Sequence, residues 1–331
     1  MRSRPRAALV AVTAALTVLV AGGCAASTGP EPEPELVSPG ATPGTTDFFV
    51  DPDSAAAAQV REWSSAGRTA DAEQLRKIAE QPLPFRPVGD PDQIAGDVLE
   101  YVGRASDARK RPLLVASALA DDPCAADPDV YHAWLAGLVG GLGDASSTVV
   151  LEPGAVPRAL ACSDSAARER AYGLLSDAVA ILGSAGATVY LDAGPVEPGT
   201  DLDGLAAGLR SSGIADAHGF SVNVGGTQST EESTSVGSQL ADLVDGKPFV
   251  IDTSRNGPAD GSTTEESASA CNPQQSALGN PPTTQTGDPR VEALLWITSP
   301  GVSDGPCRPG DPAEGEWWPE YALGIAERSG R

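Results

Sequence analysis

Six short stretches of the chain are apolar almost throughout: "RPLLVASAL", "STVVLEP", "ATVYLDAG", "GFSVNVGG", "KPFVIDTS" and "VEALLWITSPG". Each is bounded by Gly, Pro or Asp, the pattern of a strand buried on both faces. Between them, "ADPDVYHAWLAGLVGGLGD", "SAARERAYGLLSDAVAILGSAG" and "GSQLADLVDG" place apolar residues at helical spacing. Strand and helix in alternation predict parallel strands, arranged as a barrel or an open sheet. In such folds the chemistry collects at the carboxyl ends of the strands. Those ends fall here at Asp121-Asp122, Glu152-Pro153-Gly154, Asp192-Ala193-Gly194, Asn223, Asp252 and Asp304.

The segments outside this pattern set its limits. A basic start, "MRSRPR", precedes the apolar run "AALVAVTAALTVLVAGG" and then Cys24. This resembles a bacterial lipoprotein signal, so residues 1–23 are expected to be removed and Cys24 to carry the lipid. The following "AASTGPEPEPELVSPGATPGTT" has almost no large apolar residue and cannot offset its ordering entropy by burial, which predicts a flexible tether over 24–46. One folded domain is then expected over 47–331. Inside it, the polar stretch from Asn256 to Pro289 is long for a loop, and loops of that size are usually functional or mobile.

Composition excludes several classes. The chain has 331 residues, 40% of them hydrophobic, enough for a sizeable core, and a formal net charge of −23. That charge repels a phosphate backbone, so nucleic acid is not an expected partner. Cys24 aside, Cys124, Cys162, Cys271 and Cys307 form an even set in an exported chain, for which three pairings exist. No cysteines stand at metal-ligand spacing, and the two histidines, His132 and His218, lie far from them, so no metal or other cofactor is expected. Acids at strand ends, without a Ser/His or Cys/His signature or a phosphate-cradling glycine loop, point to glycoside chemistry. That reaction needs a carboxyl to protonate the leaving oxygen and a carboxylate to activate water, ~6.5–9.5 Å apart in inverting enzymes. The same acids also serve as helix caps and Asx turns.

Nine motifs in order carry a family resemblance: "FFVDPDSAAAAQV", "RPLLVASALADDPCA", "VVLEPGAVP", "VYLDAG", "SVNV", "FVIDTSRNG", "CNPQQSALG", "PTTQTGDPRVEALLWITSPGVSDG" and "WWPEYALGIA". Together they resemble the family 6 glycoside hydrolases from Asp47 to Ala326. The resemblance implies a distorted parallel β/α barrel, an inverting β-1,4-glucanase or cellobiohydrolase activity, a β-glucan partner and a monomer. It implies the pairings Cys124 with Cys162 and Cys271 with Cys307.

The resemblance also shows what is missing. In the family pattern the strand ending "EP" is followed by the proton-donating aspartate, and here that residue is Gly154. An aspartate expected just before the first cysteine is Pro123, with Asp122 one position early. The expected tyrosine is Ser117, the residues after "DAG" are Pro195-Val196-Glu197-Pro198, and the last strand's lysine and glutamate are Thr298 and Val302. A stacking tryptophan near Phe85 is absent. Asp304 remains, and with Asp122 and Asp121 it is the expected source of any catalysis. Asp192, Asn223 and Trp296 are expected to bind substrate, and Asp252, Arg255 and Asn256 are kept beside them. Two functions follow: an exported glucanase, anchored on the outer face of the bacterial membrane and weak or inactive, or a non-catalytic surface glycan-binding lipoprotein.

Overall fold

In the computed structural model of the protein the described residues are 46–119, 122–197, 199–257 and 271–329. The expected signal segment, nearly all of the tether, Cys24, Asp121 and part of the long polar stretch lie outside them. Six strands form one sheet in the order β1 (Leu113–Ala116), β2 (Thr148–Leu151), β3 (Thr188–Asp192), β4 (Gly219–Val222), β5 (Phe249–Asp252) and β6 (Val291–Leu295). All neighbours are parallel, as with Leu113 opposite Thr148 and Ala116 opposite Leu151. The sheet curls into a half-barrel with helices around it, the fold that the resemblance implied.

The period-2 geometry of the strands sorts their side chains into two cores. Leu113, Val115, Val150, Tyr190, Val250 and Leu295 pack together on the inner side. Leu114, Val149, Leu151, Leu191, Phe220, Phe249 and Ile251 face the helices. Both faces are therefore covered, which is why the strands read as unbroken apolar runs. Phe220 and Phe249 stack at 5.3 Å between centroids, a contact worth about 1 kcal/mol beyond its area.

The helices start where short polar side chains can cap them. Asp90 caps α3 (Pro91–Asp107), Asp127 caps α4 (Pro128–Leu142) and Asp164 caps α6 (Ser165–Ser184), each accepting a backbone N–H of the first turn. Asp201 does the same for α7 (Leu202–Ser211), and Ser229 with Glu232 forms a capping box on α8 (Thr230–Leu243). Five of the 45 acidic residues are thus placed at helix starts. Two more helices, α1 (Ala55–Ser65) and α2 (Thr69–Ala79), pack with α9 (Pro319–Arg328) around Trp63, Leu75, Ile78, Ile325 and Trp296 as a separate cluster. A six-residue helix, α5 (Ala155–Leu160), follows β2 directly.

Both disulfides form as the resemblance implied. Cys124 joins Cys162 with 5.8 Å between Cα atoms, and Cys271 joins Cys307 with 6.2 Å. The first ties a short 3₁₀ turn (Pro123–Ala125) after β1 to the end of α5, and the second fastens the β5–β6 connection to the segment after β6.

Candidate functional site

The carboxyl edge of the sheet carries acids at the ends of β2, β3 and β5, and each is taken up by neighbouring backbone. Glu152 accepts from Ala118 N at 2.8 Å and Leu119 N at 3.0 Å, tying the loop after β1 to the end of β2. Asp192 accepts from Gly154 N at 2.7 Å, Gly194 N at 2.9 Å and Ser221 Oγ at 2.6 Å. Asp252 accepts from Gly225 N and Thr298 N at 3.0 Å, Ser254 N at 2.9 Å and Ile297 N at 3.2 Å. These carboxylates bind loop to loop across strand boundaries.

Their burial has an electrostatic consequence. Loss of solvent favours the neutral acid, while the N–H donors and the positive charge of Arg158 favour the anion. Burial prevails at Glu152, raising it to about 7, and at Asp192, raising it to about 6. Asp252 is raised as well, again by burial. Glu152 also holds a left-handed backbone, φ 48°, an uncommon conformation for a residue with a Cβ. The buried Tyr131 hydroxyl interacts with Glu152 without forming a hydrogen bond of normal geometry.

Gly154 lies at the mouth of this edge. Its φ of 74° is the left-handed conformation that glycine adopts without strain, and it begins α5 without a side-chain cap. The space a side chain would occupy is filled. A Cβ built on Gly154 would stand 2.3 Å from Arg158 Nη1 and 3.0 Å from its Cζ. Arg158 reaches back one turn, the i to i+4 neighbour on the helix surface, and its Nη2 donates to Pro153 O at 2.7 Å. A guanidinium therefore occupies the space in front of Gly154.

Asp304 is partly exposed and held from below. Its Oδ2 accepts from Arg255 Nη1 at 2.7 Å and from Asn272 N at 2.8 Å, and its own N–H donates to Asn272 Oδ1 at 2.7 Å. Arg255 is buried and also donates through Nε to Gly225 O at 2.7 Å. Asp122 is exposed and caps the 3₁₀ turn, its Oδ1 accepting from Cys124 N at 3.0 Å. Asp121 lies outside the described residues. Arg86, directly after Phe85, completes the charged groups of this edge. Burial lowers its pKa against the fields of Glu314, Glu152 and Asp304.

Three expected substrate-binding residues are placed differently. Asp192 is fully buried with both oxygens occupied, Asn223 is fully buried and donates to Asp252 O at 2.8 Å and Gln228 O at 3.2 Å, and Trp296 is 2% exposed with Nε1 bonded to Asn280 O at 3.0 Å. None presents a surface to a sugar; they brace the site from inside. Among the substituted positions, Pro123 is buried in the 3₁₀ turn, Ser117 is half-buried, and Thr298 offers its N–H to Asp252. Val302 pairs with Trp317 in a bridge and, with Phe85, Tyr101, Ser299 and Trp317, helps line a cavity of about 150 Å³. Arg158 and Arg86 are the residues that sequence reasoning passed over, and Glu152 was read there only as a strand end. The signal for Arg158 was its distance of four residues from Gly154 at a helix start.

A parallel half-barrel with a carboxylate-lined carboxyl edge and disulfide-tied loops defines an α/β protein of the distorted β/α-barrel class. Residues 44–329 match the profile of the glycosyl hydrolases family 6, and the chain belongs to that family. It is 36% identical to Endoglucanase A of Cellulomonas fimi over 86% of this chain, which spans 62% of that protein's length. It is 32% identical to Endoglucanase 1 of Streptomyces halstedii, over 93% of this chain and 97% of the other. Among solved structures, the endoglucanase Cel6 from Mycobacterium tuberculosis, in complex with methyl-cellobiosyl-4-deoxy-4-thio-β-D-cellobioside, superposes with a TM-score of 0.75 at 33% identity, covering 87% of this chain and 98% of that one. Endoglucanase Cel6B from Humicola insolens, 20% identical with a TM-score of 0.70 and coverage of 86% and 96%, shares the fold.

Proposed function

We propose that the protein is an exported, lipid-anchored barrel that holds a β-1,4-glucan-type chain along its carboxyl edge and hydrolyses it weakly or not at all. One observation carries the reading: Gly154 stands where the family resemblance calls for the acid, and the Arg158 guanidinium fills the space. An arginine stays protonated at any working pH and cannot hand a proton to a leaving oxygen. A positioned general acid contributes ~10²–10⁴-fold, so its loss alone removes most turnover. The substrate class comes from the relatives, which are endoglucanases, one of them bound to a cello-oligosaccharide analogue. Two disulfides fit an oxidising compartment, and the signal-like start with Cys24 supplies the export route and the anchor.

The test measures reducing-sugar release from barley β-glucan and soluble cello-oligosaccharides beside retardation of the protein in glucan-containing gels. Retardation with little or no sugar release supports the reading. Turnover at ordinary enzymatic rates, ~1–10³ s⁻¹, overturns it. The weak-hydrolase form has its own support, since Asp304 Oδ1 accepts no hydrogen bond among the described residues and its side chain is 24% exposed. Slow release that disappears in Asp304→Asn would establish that form, provided the variant is folded. Mass spectrometry of the mature terminus tests the anchor: an unlipidated terminus downstream of Cys24 removes it and leaves export standing.

A further inference from the structure

Two arginines at the carboxyl edge have no carboxylate partner in contact among the described residues. Arg158 is exposed, and its one hydrogen bond goes to a carbonyl, Pro153 O. Arg86 is half-buried and makes no hydrogen bond or ion pair among the described residues. Its position is set by backbone pairing: Phe85 N donates to Leu113 O and Val115 N donates to Phe85 O, both at 2.9 Å, so the segment runs parallel beside β1. Arg86 is thereby delivered to the carboxyl edge outside β1, and Arg158 to the same edge just after β2. β1 thus stands between the Arg86 segment and β2, whose end leads into the helix that carries Arg158.

Among the described residues no acid forms an ion pair with either arginine, although Glu152 and Asp192 feel the charge of Arg158, and Glu314, Glu152 and Asp304 that of Arg86. Glu152, Asp192 and Asp252 already receive backbone N–H groups, and Asp304 is paired with Arg255. A half-buried guanidinium without a bonded partner is costly, and an anion would relieve that cost. The guanidinium fork matches the two oxygens of a carboxylate, sulfate or phosphate.

We propose that this end of the cleft recognises a saccharide carrying an anionic group, with Arg158 gripping it where the proton donor would stand and Arg86 acting as the second cation. The inference rests on the reading of the cleft as a glycan site. It assigns Arg158 a specificity role in place of the lost chemistry. In a chain of net charge −23, two cations at one edge form a local contrast that selects an acidic sugar against a neutral one.

Calorimetric titration of the purified protein at low and high salt would compare cellohexaose, its C6-oxidised glucuronate counterpart and a sulfated cello-oligosaccharide. An acidic ligand is expected to bind ~10-fold or more tightly than cellohexaose at low salt, the affinity of one charge-assisted hydrogen bond. The difference is expected to shrink in high salt and to collapse in Arg158→Gln, with Arg158→Lys keeping part of it. Arg86→Gln is a second variant, and circular dichroism checks that each is folded. The two acidic arms separate carboxylate from sulfate recognition. Equal or tighter binding of cellohexaose, or an unchanged preference in Arg158→Gln, overturns the inference and leaves glucan binding intact. Binding of none of the three ligands overturns both.

Discussion

Restoring the acid by Gly154→Asp is the most direct perturbation of the site, and the structure argues that it fails on its own. The backbone at 154 has φ 74°, which costs a residue with a Cβ about 1–2 kcal/mol, somewhat less for aspartate. The introduced side chain would start 2.3 Å from Arg158 Nη1, so the arginine must move, and any nearby position makes it an ion-pair partner. A carboxyl within ~4–6 Å of a guanidinium has its pKa lowered by ~1–3 units. From an ordinary aspartate that leaves at most about one molecule in a thousand protonated near neutral pH. A proton donor in that state supplies little of the ~10²–10⁴-fold available. The expected gain in initial rate of cello-oligosaccharide hydrolysis is under ~10-fold for Gly154→Asp, and larger for Gly154→Asp with Arg158→Ala, where the counter-charge is gone. Ser117, Pro123, Thr298 and Val302 still keep the double variant far from full turnover, since groups acting as a unit recover little singly. A gain of ~100-fold or more from the single substitution, in a protein of unchanged circular dichroism, would refute the role given to Arg158.

Three further outcomes are expected. Glu152 at about 7 and Asp192 at about 6 lie above their unfolded values, so their contribution to stability is complete below about pH 4 and is lost as pH rises through 6 to 7. The urea midpoint should therefore fall between pH 5 and pH 8, with Glu152 accounting for about 3 kcal/mol and Glu152→Gln flattening the profile; a midpoint that climbs over this range contradicts it. Asp304→Asn leaves the buried Arg255 without its counter-charge and should lower unfolding stability by about 3 kcal/mol, read from denaturant curves. Replacing both Cys124 and Cys162 by alanine opens a loop of sequence separation 38 and should remove about 4 kcal/mol, whereas a change below 1 kcal/mol would show that the bridge leaves the unfolded chain unconstrained.

The six strands were legible because burial on both faces leaves an unbroken apolar signature, and every one appears where its run predicts. The helices α4, α6 and α8 were legible for the same reason of period. A six-residue helix such as α5 carries too little pattern to stand out, while α7, amphipathic over ten residues, was not picked out. At the site, sequence located the edge and its buried acids at the ends of β2, β3 and β5. It mistook the role of Asp192, Asn223 and Trp296, because a polar residue at a strand end reads alike whether it faces a ligand or a backbone amide. Only the coordinates show that Asp192 spends both oxygens on Gly154, Gly194 and Ser221. Arg158 was hidden for another reason: an arginine on a short helix is ordinary until its guanidinium is found in a glycine's empty space.

The carboxylates that link one loop to the next also govern how the cleft can change over time. Glu152, Asp192 and Asp252 hold the main chain at residues 118, 119, 154, 225, 297 and 298. The frame and the reactive side chains are separable inventions. A lineage can discard the second while the first continues to present the same trough, already shaped and with little entropy left to lose on binding. Such a protein drifts toward new ligands by exchanging rim residues one at a time, and each intermediate along that path remains folded.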